Sequence, residues 1–384
     1  MKANLPYQGF EQGPIRPPSE AQSLLLRVTR NCPWNRCTFC PLYKEKRFSL
    51  RPLEDIKRDI DTVYQHTEQL RAQVEVAGCL SVAAVQNLRL RLNPEARTGF
   101  EAALHWFRGG MESVFLQDAN SLVIKPAQLL AVLQHLKAHF PWIRRITSYA
   151  RSHTVARMKE DDLRALREAG LNRLHIGMES GSDRVLQRVS KGATQAMHIA
   201  AGRKVLQAGM ELSEYYMPGL GGQDCSREHA LASAATLNQI NPHFIRLRTL
   251  AIPCQAPLFA EYQAGGFRPC TEVQVVAETL LFLQNLHGIS SLVKSDHILN
   301  LFPRLEGQLP EDQAGMLRIL EDFLAADPER QRLYQAGRRC GLLSQLGDLD
   351  DPLVLSQARQ LCCTLGVTAD TVDSITAALL QRFI

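Results

Sequence analysis

The 384-residue chain contains no run of 18 apolar residues, so no stretch of it is long enough to be a membrane-spanning helix. Its first twenty residues are polar and proline-rich and lack an apolar h-region, which argues against a secretory signal. Without export, ten cysteines do not read as a disulfide framework, and the expected compartment is the reducing cytoplasm. No internal repeat and no low-complexity tract is present, so a repeat array is excluded. Charge of one sign is in only slight excess, with 44 Lys and Arg against 39 Asp and Glu, a formal +5. That balance suits an anionic ligand but is not the footprint of a nucleic-acid binder.

What is there is an ordinary globular composition, 45% hydrophobic and 22% charged, with ample material for a core. Residues 1–22 read as an extended or loosely ordered arm punctuated by Pro6, Pro14, Pro17 and Pro18. From Ser23 onward strand-like and helix-like runs alternate. The strands are expected at 23–30, 113–117, 143–149, 173–178, 211–217 and 243–250. The helices that follow them are expected at 52–70, 126–139, 160–169, 194–208, 226–239 and 271–286. Pro52 suits a first helical turn, and Gly170 and Gly209 suit helix ends. Residues 73–108 exceed what one crossover needs and read as an insertion with a helix at 100–107. Strict alternation implies parallel strands with right-handed crossovers. Six units fall short of the eight of a closed barrel, so a partial barrel and an open doubly wound sheet both fit. From about residue 300 the strand signal stops. Helices are expected at 310–325, 328–338, 352–365 and 369–383, a small C-terminal helical domain. The division expected is an arm (1–22), an α/β domain (23–299) and a helical domain (300–384).

The chemistry concentrates just after the first strand, in the run Asn31-Cys32-Pro33-Trp34-Asn35-Arg36-Cys37-Thr38-Phe39-Cys40. Three soft thiolates, Cys32, Cys37 and Cys40, can close around one metal centre, and no fourth ligand lies nearby. Structural zinc is normally four-coordinate and most iron–sulfur clusters take four cysteines. A three-cysteine cubane leaves one iron open to bind and activate a small molecule. A zinc knuckle with a distant fourth cysteine, or chance clustering, fits the spacing too. Cys79, Cys225, Cys254, Cys270, Cys340, Cys362 and Cys363 form no close cluster beyond one adjacent pair, and read as buried or incidental thiols.

Sites in parallel β/α folds form at the carboxyl ends of strands. Five consecutive strand ends here carry ligand-type loops: the cysteine run, then 117–121 (QDANS), 148–151 (SYAR), 177–182 (GMESGS) and 216–222 (YMPGLGG). Alternation along the strands adds a second set. Arg246 and Arg248 share a face opposite Ile245 and Leu247, and Arg27 and His175 fall on inward positions by the same argument. Inward cations must be paired. Their partners are either internal (Glu179, Glu211 or Glu214) or a carboxylate or phosphate on a substrate.

Three features together resemble the radical S-adenosylmethionine (SAM) enzymes, from about residue 23 to 286. They are the three cysteines with Phe39 before the last, the Gln117-Asp118-Ala119-Asn120 loop in place of a Gly-Gly-Glu-type motif, and the segment from Gly177 through Glu179 and Ser182 to Lys191 and Gly192. The last looks much like the corresponding segment of the oxygen-independent coproporphyrinogen oxidases and the tRNA methylthiotransferases. Two departures stand out. Four residues separate the first two cysteines where three are usual, and the acid of the second loop is Asp118, which reaches less far than Glu.

The resemblance implies a partial (β/α)6 TIM-like barrel in which Cys32, Cys37 and Cys40 hold a [4Fe-4S] cluster whose fourth iron is chelated by SAM. It implies that Asp118, supported by Asn120, accepts from the SAM amino group, and that Lys191, with Arg151 and Ser148, faces the SAM carboxylate. Glu179 would meet the ribose hydroxyls, and Phe39, Met217 and Gly219 the adenine. The implied activity is reductive cleavage of SAM to a 5′-deoxyadenosyl radical that abstracts hydrogen from a small-molecule substrate; strand alternation, and not the resemblance, offers Arg27, His175, Arg246 and Arg248 to an anionic group on it. A low-potential donor, ferredoxin or flavodoxin, would supply the electron. The alternative is an iron–sulfur, haem or porphyrin carrier on the same scaffold without turnover. An RNA-modifying role is not expected, because neither a partner domain nor an RNA-binding β-barrel of the methylthiotransferase kind is apparent. No cobalamin-binding domain is apparent either.

Overall fold

The alternating runs of the sequence fold as strands and helices in a computed structural model, which describes residues 7–383. The strands are β1 (Leu24–Arg27), β2 (Thr29–Arg30), β3 (Ser49–Leu50), β4 (Ser113–Gln117), β5 (Arg145–Ala150), β6 (Leu171–Glu179), β7 (Glu211–Tyr216), β8 (Phe244–Leu247), β9 (Leu292–Lys294) and β10 (Gly307–Gln308). Eight of them form one sheet in the order β1-β4-β5-β6-β7-β8-β9-β10, while β2 and β3 pair apart from it. Strands β1, β4 and β5 run parallel, with Leu24 opposite Val114 and Val114 opposite Ile146. Strands β7, β8 and β9 are parallel too, with Glu214 opposite Ile245 and Ile245 opposite Val293. The last strand, β10, is antiparallel.

The six expected strands are therefore all present and sequential neighbours. A sequential order has no reversal point, which removes the doubly wound alternative. The fold class is α/β, a mostly parallel sheet of the partial (β/α)6 barrel kind with helices following. Strands β9 and β10 were not expected. At three and two residues they are too short to carry a period, and β10 falls in the stretch read as wholly helical. No helix among the described residues is long and apolar enough to cross a membrane.

The chain divides into two compact units. The first comprises residues up to Pro33, 45–175 and 204–211. Its helices include Leu53–Ala77, Val82–Leu90, Pro94–Arg108 and Pro126–His139. The insertion thus holds two helices rather than one, and Leu70, Val85, Phe100 and Leu104 pack together beneath them. Asn93 caps the second by accepting from the Ala96 amide, with Pro94 at its first position. The arm, expected to be extended or loosely ordered, is bonded to this unit over its described part. Phe10 is buried, the Gly13 amide donates to Gln117 Oε1 at 2.9 Å, and the chain makes one 3-10 turn at Pro18–Glu20. Pro6 lies outside the described residues.

The second unit comprises residues 34–44, 176–203 and 212 onward. Tyr216 of β7 stacks on Phe282 of the helix Glu272–Gln284, with centroids 4.0 Å apart. One continuous core runs from there through Ile245, Leu247 and Val293 to Phe302, Phe323 and Tyr334, so the helices Gln313–Ala325 and Pro328–Arg339 share their core with β7, β8 and β9.

Candidate cofactor site

In the first unit the residue before Cys32 is held by a buried carboxylate. Asp118 follows β4 directly, and its Oδ2 accepts from the Asn31 amide at 2.9 Å and from Arg27 Nε at 2.8 Å. Asn31 takes a left-handed φ of 67°, a conformation Asn tolerates, and its side chain donates to the Arg47 carbonyl. Arg27 also bonds Glu11 of the arm at 2.6 Å. Glu11 faces Arg30 and Arg51 as well. Burial raises the Glu11 pKa, but the Arg30 hydrogen bond and the Arg51, Arg30 and Arg27 charges outweigh it and hold the group below its ordinary value. Gly13 passes so close that a Cβ there would sit 2.2 Å from Asp118 Oδ1.

His175, read from sequence as a substrate ligand, is fully buried 3.5 Å from Glu20 of the arm. Burial raises the Glu20 pKa, while hydrogen bonds from His175 and Ser23 and the Arg145 charge bring it below normal. Arg27 and His175 thus face internal carboxylates, and these are Glu11, Asp118 and Glu20 rather than the three anticipated. Asn120 is spent on the segment after β5, accepting from the Arg151 amide at 3.1 Å and donating to Thr154 at 2.8 Å. Ser148 is buried, with its hydroxyl directed to the Leu116 and Tyr149 carbonyls.

In the second unit the remainder of the cysteine loop is fastened to the segment after β6. Trp34 Nε1 donates to the Ser190 carbonyl at 2.7 Å, and the Thr38 amide donates to the Val189 carbonyl at 3.0 Å. Phe39 packs with Val185, Val189, Met217 and Leu220, which brings two of the expected adenine contacts together. Glu179 ends β6 at φ +64°, outside the strand alternation, and its Oε1 pairs with Lys191 Nζ at 3.0 Å. Lys191 lies 5.8 Å over the Phe39 ring. The Gly219 amide donates to Glu278 at 2.7 Å, a buried carboxylate that also serves Tyr216 and Ser226. None of the three cysteines is in a disulfide, and all are partly exposed. The donor set of three thiols, with no fourth nearby in sequence, suits iron of a cluster.

Arg246 is buried and ion-paired with Asp296, with Nε 3.2 Å from Ser213 Oγ. Arg248, expected on the same face, is exposed instead, because β8 ends at Leu247 and alternation stops with it. It acts on its neighbour: burial and the Arg248 charge push the His297 pKa down to about 4, so that imidazole is neutral at pH 7.

Glu214 was considered in sequence only as a partner for arginine. It is fully buried on β7, and neither carboxyl oxygen has a hydrogen-bond partner among the described residues. Burial, and then the Glu179 charge, push its pKa well above the ordinary value against the pull of Lys191. Its sequence signal, a lone acid among Leu212, Ser213 and Tyr215, is indistinguishable from a surface position.

Comparison with known proteins follows the same line. Residues 91–232 match the radical SAM superfamily, a span that begins after the cysteine loop. A curated relative, 4′-phospho-dehydrooxetanocin synthase of Priestia megaterium, is 28% identical over 197 residues, half of this chain but only 22% of that protein's length. The chain therefore spans about a fifth of the curated relative it matches. Among solved structures, methylornithine synthase is 17% identical with 78% of this chain and 81% of that chain covered, at a TM-score of 0.42. Coproporphyrinogen III oxidase from Escherichia coli is 15% identical with 69% and 52% covered, at 0.44. The cofactors that go with a radical SAM domain are a [4Fe-4S] cluster and S-adenosylmethionine. Over residues 91–232, less than half of its length, the chain is similar to the radical SAM superfamily.

Proposed function

We propose that the chain is an enzyme in which Cys32, Cys37 and Cys40 hold a [4Fe-4S] cluster and residues 23–299 carry the chemistry. The observation that supports this most is a three-thiol loop in a chain with a radical SAM domain, anchored on either side of Pro33 by Asp118 and by Ser190. Cluster and SAM, once bound, supply a 5′-deoxyadenosyl radical that removes hydrogen from the substrate. The chain's own residues bind and orient. Asp118 acts by holding the Asn31 amide beside Cys32. Lys191 offers a cation to the SAM carboxylate and Glu179 an acceptor to the ribose hydroxyls, once their mutual ion pair opens. Phe39 and Met217 form the apolar surface for the adenine. Burial favours the uncharged form of Glu214, the form able to donate a hydrogen bond.

The substrate is a small anionic molecule. Arg248 is the arginine suited to it, since Arg246 is already matched by Asp296 while Arg248 has no ion-pair partner among the described residues. A ferredoxin or flavodoxin provides the electron.

The test is anaerobic. The protein is reconstituted with iron and sulfide, given SAM and dithionite, and assayed for 5′-deoxyadenosine. Formation that disappears in Cys32→Ala, Cys37→Ala and Cys40→Ala, and persists in Arg248→Ala, is the expected result. A cluster that never cleaves SAM would point to the carrier reading. Bound zinc in place of a cluster would overturn the proposal.

A further inference from the structure

Away from the cysteines, the helices Leu53–Ala77 and Pro126–His139 of the first unit bring three ligand-type side chains to one point. His135 and His139 stand one turn apart on the second helix, so both rings lie on one face, with centroids 4.4 Å apart. Asp61 reaches them from the first helix. Its Oδ1 is 2.6 Å from His135 Nε2 and 3.3 Å from His139 Nε2.

The second imidazole makes the arrangement chemically specific. His139 Nδ1 lies 2.9 Å from the His135 backbone carbonyl, which can only accept, so Nδ1 carries a proton. In a neutral ring Nε2 is then a lone pair, yet it faces a carboxylate oxygen. Two acceptors facing each other need either a second proton or a metal ion between them. A metal-ligating histidine whose other nitrogen donates to a backbone carbonyl has its tautomer fixed in this way.

We propose that Asp61, His135 and His139 bind a divalent transition metal of the zinc class, which clips the two helices together. Two imidazoles and one carboxylate form a known zinc donor set, leaving a fourth position for water. Ligand atoms of a tetrahedral zinc site stand about 3.3 Å apart, given zinc bonds of about 2.0–2.1 Å. The three atoms here all lie within 4.8 Å of one another. The Asp61–His139 separation already fits, and the Asp61–His135 contact opens by a swing of a side chain that is 42% exposed. All three groups are reachable from solvent, so ion and water can enter. The site also sits in the last turns of Pro126–His139, where the helix dipole favours a cation.

The experiment uses the full chain with its iron–sulfur centre reconstituted, dialysed against micromolar zinc and then counted for zinc and iron separately. One zinc per chain, lost in His135→Ala and His139→Ala with iron unchanged, is the expected result. Since removing a ring could loosen the helix pair by itself, Asp61→Asn is the second variant. It is expected to keep the wild-type circular dichroism and to lose both the zinc and the rise in melting temperature that zinc gives the wild type. Zinc retained equally by all three variants, zinc lost only when cysteines are replaced, or no zinc bound at all would overturn the proposal. The three side chains would then be a hydrogen-bonded contact between the two helices.

Discussion

Gly192 sits where a side chain cannot. Its φ is +67°, and a Cβ would come within 2.3 Å of the Trp34 ring. That ring is fixed by its bond to Ser190, so it cannot give way without releasing the cysteine loop. Gly192→Ala is expected to destabilise the protein by about 1–3 kcal/mol, the usual range for overpacking. It should also lower the iron bound per chain after reconstitution. Gly315→Ala is the contrast. Gly315 lies in the first turn of the helix Gln313–Ala325 with nothing within 4 Å of the added carbon, and the change should stabilise by about 0.4–1 kcal/mol through the unfolded chain. Urea midpoints that move alike in the two variants would defeat the argument. At this scale the sequence offers the cysteines as candidates through residue type and spacing. It offers Asp118 and Glu179 through their places just after β4 and at the end of β6. Glu11, Glu20 and Glu214 were not legible, because a buried acid and a solvated acid look the same until the tertiary partner is known.

Among the elements, the arm departs most from its sequence. Pro14, Pro17 and Pro18 break any period, and nothing apolar in the pattern announces docking. Beside the single buried Phe10 the binding is ionic and polar, through Glu11 on Arg27, Arg30 and Arg51 and through Tyr7 on Asp59 at 2.7 Å. The Glu11 pKa is lowered in the folded chain, so its contribution is fully present above the ordinary carboxylate value and is lost as pH falls through the lowered one. Glu11→Gln should therefore cost about 1–3 kcal/mol near neutrality, the scale of hydrogen bonds to charged groups. The gap between variant and wild type should close on acidification, read as urea midpoints across the pH series. A gap that stays constant into acid would show that Glu11 contributes nothing through its charge. The regular elements were easier. The strand at 113–117 and the helices at 126–139 and 352–365 have the bounds expected, because alternation, Pro at a first turn and Gly at an end are local signals. Strands of two or three residues, and an arm held by scattered acids, offer no local signal.

For the molecule as a whole, each compact unit is gathered from separated stretches of chain, which contiguous composition cannot reveal. The net charge is legible without any structure. At +5, the protein would attract the acidic redox partner proposed above over distances set by the Debye length, about 8–10 Å at physiological salt. Such steering acts on encounter and not on the chemical step. Deoxyadenosine formation driven by an acidic ferredoxin or flavodoxin should therefore slow as ionic strength rises. The same reaction driven by a reduced viologen, a small cation, should not slow. Equal salt dependence with both donors would mean that salt acts on SAM binding or on the cluster, and that net charge plays no part in delivering the electron. A decline with the protein donor alone would tie the one global property visible in the composition to the electron supply that the proposed chemistry requires.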